Sequence, residues 1–232
     1  MKPRTLSIVI PAYNEERFIG RLLRQIDEVQ LSALGVDKQV IVVDDCSEDR
    51  TAEIVAGIPH VILVRLEWNA GKGRAVRAGM EQATGDFLII QDADLEYDPR
   101  DYVLMMQALL DGRGDIVYGS RYMGRGRYAN QSLAAYIGGR SLSLVAWACT
   151  GTYLTDTVTA LKLFPRQLLM SLTLTTSGFE LDHEITAKVL ARGHRIVEVP
   201  VRYYPRSREE GKKIGMRDWF TGCRTFFRFR EG

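Results

Sequence analysis

Short apolar runs recur along the first half of the chain with polar, loosely helical stretches between them. Residues 6–10 read Leu-Ser-Ile-Val-Ile, residues 40–43 Val-Ile-Val-Val and residues 61–64 Val-Ile-Leu-Val. Residues 87–90 read Phe-Leu-Ile-Ile, and residues 116–118 Ile-Val-Tyr. Runs of this length, rich in β-branched residues, predict buried strands. After the first run, Phe18, Ile19, Leu22, Leu23, Ile26 and Val29 keep the spacing of one helix face. A short helix is expected after the second run, capped by Ser47 or Asp49. Further helices are expected over 75–83 and 101–110. Residues 132–150 predict a helix or a helix pair interrupted at Gly138-Gly139. A strand follows over 161–164, then a helix over 180–192 ended by Gly193, and a strand over 196–204.

Strands alternating with helices imply an α/β fold of three layers, a mostly parallel central sheet with helices on both faces. Ligands of such sheets collect at the carboxyl ends of the strands. The polar clusters fall there. Pro11-Ala12-Tyr13-Asn14-Glu15 follows the first strand, Asp44-Asp45 ends the second, Asp92-Ala93-Asp94 ends the fourth and Gly119-Ser120-Arg121 the fifth.

The chain has 232 residues, of which 46% are hydrophobic and 26% charged, enough for one core and one domain. The expected division is a donor-binding half over about 5–122 and an acceptor-side half over about 123–220. A net charge of +2 is too small to argue for a nucleic-acid partner. Cys46, Cys149 and Cys223 show neither a disulfide framework nor zinc spacing, so a reducing cytoplasmic setting is expected. No stretch of 18 apolar residues predicts a transmembrane helix. Charge changes the picture only at the C-terminal end. Residues 202–230 carry nine Lys and Arg against three Asp and Glu, a net +6, with Trp219, Phe220, Phe226, Phe227 and Phe229 interleaved. That mixture suits the surface of an anionic membrane. It equally suits a last helix packing its aromatics on the core.

The strongest chemical signal is Asp92-Ala93-Asp94. Carboxylates two residues apart converge once the chain leaves strand geometry, and Mg²⁺ or Mn²⁺ takes such oxygens together with substrate phosphates. Glu96 offers a further oxygen, directly or through water. Alone the motif also fits a solvated acidic loop. Asp44 suits a nucleobase edge or ribose, with Asp45 alternatively capping the next helix. Tyr13 offers a stacking face and Glu15 an acceptor, while Asn14 alternatively caps the first helix. Asn69-Ala70-Gly71-Lys72-Gly73 enters a helix, and its amides and Lys72 suit a phosphate.

In this order the clusters resemble the family 2 glycosyltransferases of the GT-A fold. Within that family the dolichol-phosphate mannose synthase branch and its bacterial polyprenyl-phosphate relatives are the nearest in pattern. Asp92 to Pro99, Asp156-Thr157-x-Thr159-Ala160-x-Lys162, Gly178-Phe179-Glu180-x-Asp182-x-Glu184 and the stretch from Glu198 to Ile214 carry that resemblance. It implies a metal-dependent, inverting transfer of a sugar from GDP-mannose or a UDP-sugar to a polyprenyl or dolichyl phosphate. It places Pro11, Tyr13, Glu15, Asp44, Asp45, Lys72, Ala93 and Arg121 at the nucleotide-sugar. Asp92 and Asp94, with Glu96 third, fall at the metal, and Arg140, Arg206 and Lys212 at the acceptor phosphate. Asp92, Asp94, Arg206 and Lys212 are the expected catalytic set. A lipid phosphate needs little base catalysis. A hydroxyl acceptor needs a base, for which Asp182 or Glu184 would serve. The alternatives are therefore a glycosyltransferase acting on a non-lipid hydroxyl and a non-catalytic nucleotide-binding protein. A peripheral position at the cytoplasmic face of a membrane completes the expectation.

Overall fold

The computed structural model describes residues 3–123, 128, 131–206 and 216–231. Lys212, expected at the acceptor phosphate, lies outside the described residues. Seven strands form one sheet: β1 (Arg4–Ala12), β2 (Val36–Asp44), β3 (Val61–Arg65), β4 (Phe87–Ile90), β5 (Ile116–Ser120), β6 (Lys162–Pro165) and β7 (Ile196–Pro200). Their order is β3-β2-β1-β4-β6-β5-β7. All neighbours run parallel except β6, which is antiparallel to both β4 and β5.

Alternation along the strands builds the three layers. Leu6, Ile8, Ile10, Val40, Val42, Ile89, Val117 and Leu163 share one core with α1 (Ile19–Glu28) and α4 (Tyr102–Leu110). Val9, Ile41, Val43, Leu88, Ile90, Ile116, Tyr118 and Phe164 share the other with α3 (Lys72–Gln82), α6 (Arg166–Met170) and α7 (Leu181–Ala191). In α1 the residues at helical spacing, Ile19, Leu22, Leu23 and Ile26, are all buried, each contributing about 1.5–3 kcal/mol of hydrophobic stabilisation. Gly79 lets α3 lie close on the sheet, since a Cβ there would collide with Val9.

Several expectations change in detail. Residues 132–150 form a single helix, α5 (Leu133–Thr150), capped by the Ser132 hydroxyl. Gly138 and Gly139 do not break it. Gly139 leaves room for the Tyr122 hydroxyl, which would stand 3.1 Å from a Cβ. The expected strand over 196–204 stops at Pro200, beyond which the chain meets the loop after β4 at the isolated Tyr97–Tyr203 bridge. Gly193 sits at φ 77° beyond α7, and its amide bonds Leu190, the expected stop. Asn14 does not cap α1. Its side chain accepts from the Glu48 amide, and its own amide bonds Ser47. Neither expected cap stands at the N-cap of α2 (Thr51–Ala56), which is Arg50 without a side-chain cap, although Asp49 accepts from the Thr51 amide one position further out.

Candidate active site

Strands β1, β2 and β4 run parallel, so the loops after them leave the same edge of the sheet. Each holds one residue in the left-handed region: Asn14 (φ 55°), Cys46 (φ 61°) and Leu95 (φ 62°). Among the described residues these are the only non-glycines with positive φ. Strain gathered at one edge is characteristic of sites whose geometry is over-determined by their surroundings. At Leu95 the turn lets the Glu96 amide bond Asp94 Oδ1 at 3.0 Å, which fixes the second carboxylate of the Asp92-Ala93-Asp94 motif.

Two chains of alternating charge meet at this motif. In the first, Arg206 reaches Asp94 Oδ2 at 2.9 Å and Glu15 Oε2 at 3.3 Å, over the Phe18 ring, while its amide bonds Glu96. In the second, Lys72 Nζ lies 2.8 Å from Asp92 and 3.0 Å from Asp182, and Lys162 Nζ lies 2.9 Å from the other Asp182 oxygen. Burial, with the Asp92 and Glu96 carboxylates alongside, raises the Asp94 carboxyl to about 7 even with Arg206 beside it. A half-enclosed carboxylate pair of this kind gains from a cation.

The residues present fit a divalent metal shared with substrate. Asp92 and Asp94 supply hard oxygens, yet among the described residues no three acidic, His or Cys side chains close into a cage. Mg²⁺ and Mn²⁺ sites of that openness complete their shells with phosphate oxygens and water. Glu96, expected as third ligand, is committed elsewhere. Its oxygens accept from the Tyr203 hydroxyl (2.7 Å) and the Arg206 amide (2.8 Å), tying residues 203–206 over the motif.

The other expected residues divide. Asp44 is fully buried. Its Oδ1 accepts from the Ser47 amide, but Oδ2 has no hydrogen bond, only the exposed Arg65 guanidinium at 3.5 Å. A buried oxygen without a donor is what a ligand N–H or O–H would complete. Asp45 instead accepts from the amides of Ala70 and Gly71, neither capping α2 nor leaving those amides for phosphate. The amides of Gly73 and Arg74 bond the Ser177 carbonyl, and a Cβ on Gly71 or Gly73 would stand 2.6 Å from the backbone of residues 176–177. The glycines are therefore there for close approach of two loops, and the amides of Ala70, Gly71, Gly73 and Arg74 are taken up by protein groups. Pro11 and Tyr13 are half-buried in the loop end of β1, and Ala93 is buried beneath the motif.

Arg121 grips Asp156 with two bonds of 2.7 Å and stacks over Tyr203, 5.1 Å away. Arg140 donates to the Thr155 carbonyl and the Tyr153 hydroxyl and shares the Tyr122 ring with Arg121. Both arginines thus brace the site's margin and are bound to protein groups, not presented singly to an anion.

Neither candidate base is free. Burial alone would raise the Asp182 carboxyl, but Lys162 and Lys72 outweigh it and hold it down at about 2. Glu184 is held at about 2 against its burial by Lys188 and by the Thr176 and Thr175 donors it accepts from. Carboxylates so acidic are poor proton acceptors near neutral pH. The reading from sequence missed Lys162 and Asp156 as counter-ions. A charged residue inside the apolar run Leu161-Lys162-Leu163-Phe164 was the available signal for the first.

The chain is similar to known proteins along most of its length. A dolichol-phosphate mannosyltransferase of Pyrococcus furiosus is 28% identical over 215 residues, covering 90% of this chain. The chain spans 59% of that relative's length. A UDP-N-acetylglucosamine–dolichyl-phosphate N-acetylglucosaminyltransferase of Methanococcus voltae is 26% identical over 87% of this chain and 86% of the relative. Glucosyl-3-phosphoglycerate synthase of Mycobacterium tuberculosis, solved with UDP, superimposes with a TM-score of 0.73 at 22% identity, over 98% of this chain and 80% of that one, and shares the fold. The family model of glycosyl transferase family 2 matches residues 7–169, most of the chain and both loops that carry the paired charges Asp92 and Lys72, and the chain belongs to that family.

Proposed function

We propose that this protein is a glycosyltransferase that moves a sugar, with inversion, from a nucleoside diphosphate donor, GDP-mannose or a UDP-sugar, to a polyprenyl or dolichyl phosphate. The observation that carries the reading is the convergence of Asp92 and Asp94 with Lys72 and Arg206 at the carboxyl edge of the sheet. The names of the two archaeal relatives support a lipid phosphate acceptor. The pairing of Asp182 and Glu184 supports it too, because a phosphate oxygen attacks without a base and a hydroxyl does not.

Asp92 and Asp94 would hold Mg²⁺ or Mn²⁺, which when bound supplies charge neutralisation for the leaving diphosphate. Asp44 receives a donor from the base or ribose, and Glu15, on the loop after β1, offers a second acceptor. Lys72 faces the phosphates, and Arg206 and Lys212 hold the acceptor phosphate, Arg206 with the planar fork that grips two oxygens. Catalysis then rests on positioning and electrostatics. The reading is tested with purified protein, Mn²⁺, a panel of sugar nucleotides and a polyprenyl phosphate. Product must form in the lipid phase from at least one donor, and transfer only to water or to a hydroxyl would sink the lipid assignment.

Asp44→Ala is expected to weaken nucleoside diphosphate binding by about 1.5–3 kcal/mol, the worth of a bond to a charged acceptor. Unchanged affinity by calorimetry would return Asp44 to a structural role.

A peripheral place on the cytoplasmic face of a membrane belongs to the same reading. Among the described residues no helix is long and apolar enough to cross a bilayer. The last helix, α8 (Met216–Phe229), divides its aromatics. Phe226 and Phe229 are buried against α5 and α7, whereas Phe220 and Phe227 are each 62% exposed on a face that also carries Arg217, Arg224 and Arg228. Phe220→Ser with Phe227→Ser is expected to cut sedimentation with anionic vesicles several-fold while donor binding persists. Equal sedimentation of variant and parent would remove α8 from the membrane face.

A further inference from the structure

Asp182, Lys72 and Lys162 come from three separate elements, the first turn of α7, the start of α3 and the start of β6. Asp182 is 7% exposed at its side chain, Lys72 8% and Lys162 not at all. The Lys162 ammonium is fixed further by the Thr159 carbonyl oxygen at 2.5 Å and the face of the Tyr118 ring at 5.1 Å. Lys72 also pairs with Asp92, at the entrance of the site, and lies 5.9 Å from the centre of the Phe179 ring. Two buried cations therefore share one buried anion, and the positive charge left over is turned toward the Asp92-Ala93-Asp94 motif.

A trio of this kind is an expensive way to fill space. Apolar side chains of similar size serve folding as well or better, because each ion must give up its water. The arrangement makes sense as a mount. A lysine side chain has four rotatable bonds, and an ammonium facing a shifting ligand loses its position unless a fixed anion holds it from behind. Asp182 supplies that anion, and Lys162, itself immobilised in the sheet, keeps both Asp182 oxygens in place.

We propose that Asp182, backed by Lys162, is a positioning residue that holds the Lys72 ammonium at the mouth of the carboxylate cluster. With Asp92 given over to a divalent cation, the bond to Asp182 would keep Lys72 in place to face the donor's diphosphate. The inference rests on reading this cluster as the donor-diphosphate site. It gives the first turn of α7 an electrostatic task and not the task of a general base.

The test compares wild type, Asp182→Asn, Lys72→Met and the double variant. UDP and GDP binding is measured by calorimetry with Mn²⁺, alongside thermal melting and the transfer rate at saturating donor. Each single variant is expected to weaken binding of the preferred diphosphate on the order of tenfold or more, and the double variant no further than Lys72→Met alone, because the two groups act as one. Additive losses in the double variant would mean that Asp182 acts through the fold only and would overturn the proposal. Unchanged diphosphate affinity in Asp182→Asn with a collapsed transfer rate would restore the base and overturn it too. If Asp182→Asn does not fold, Lys72→Met still decides, since it leaves the Asp182–Lys162 pair whole. Wild-type affinity in that variant is incompatible with the proposal. Failure of the wild type to bind either diphosphate would instead condemn the functional reading itself, before any substitution is compared.

Discussion

Asp94→Asn is expected to lower metal-dependent donor turnover by on the order of 10²–10³, the usual effect of removing one group that stabilises developing charge. Melting should stay close to wild type. Asn keeps the shape of Asp and the oxygen that accepts from the Glu96 amide, so the turn at Leu95 survives. It also relieves the repulsion among Asp92, Asp94 and Glu96 that raises the Asp94 carboxyl to about 7. Local crowding therefore favours the variant's stability while its chemistry is lost. Turnover and melting are to be measured on the same preparation. Activity near wild type would end the metal assignment.

The second large effect concerns Arg206. The family resemblance implies a place at the acceptor phosphate, whereas in the structure its guanidinium spans Asp94 and Glu15, beside the Asp92-Ala93-Asp94 motif. A guanidinium and a divalent cation both neutralise Asp94, so they compete for it. Arg206→Ala should accordingly bind Mn²⁺ more tightly in the absence of nucleotide, because a competing charge is gone. Transfer to polyprenyl phosphate should nevertheless fall on the order of 100-fold, if the arginine released from Asp94 goes on to hold a phosphate. Calorimetry with Mn²⁺ alone and a transfer assay separate the two effects. A fall in diphosphate affinity as large as the fall in transfer would assign Arg206 to the donor. No change in either would leave residues 203–206 as a structural strap, held by the Tyr203–Glu96 bond and the Tyr97 bridge.

Both expectations depend on a geometry that the order of residues alone does not contain. What the sequence determined by itself is the strand–helix alternation through residue 120. Each apolar run of three to five residues is suited to burial on both faces, as all of them but the edge strand β3 are, and α1 shows one apolar face, so local pattern and final burial largely agree. With a parallel sheet implied, the convergence of Asp44, Asp92 and the loop after Ala12 at one edge followed from topology, whatever the side chains did next. The resemblance to family 2 glycosyltransferases rests on those same clusters.

Only the tertiary structure decided the partners, because they are set by contacts between segments far apart in the chain. That Lys72 lies between Asp92 and Asp182 depends on α3, β4 and α7 meeting, across 110 residues. Arg206 reaches Glu15 across 191. The direction of β6 was equally hidden, since a four-residue strand pairs in either sense and its crossover is long. Gly71 and Gly73 read locally as a phosphate turn, yet their task is to admit the backbone of residues 176–177, which no local pattern reveals. The split of the last helix between core and exposed face is of the same kind. Phe226 and Phe227 are adjacent and chemically identical, and the position of Ala146, His183 and Ala187 decides which of the two is buried. Local propensity chooses the elements because it acts within a turn or a strand. Charge pairing and close approach are decided between elements, where burial and desolvation act on whichever side chains the fold brings together.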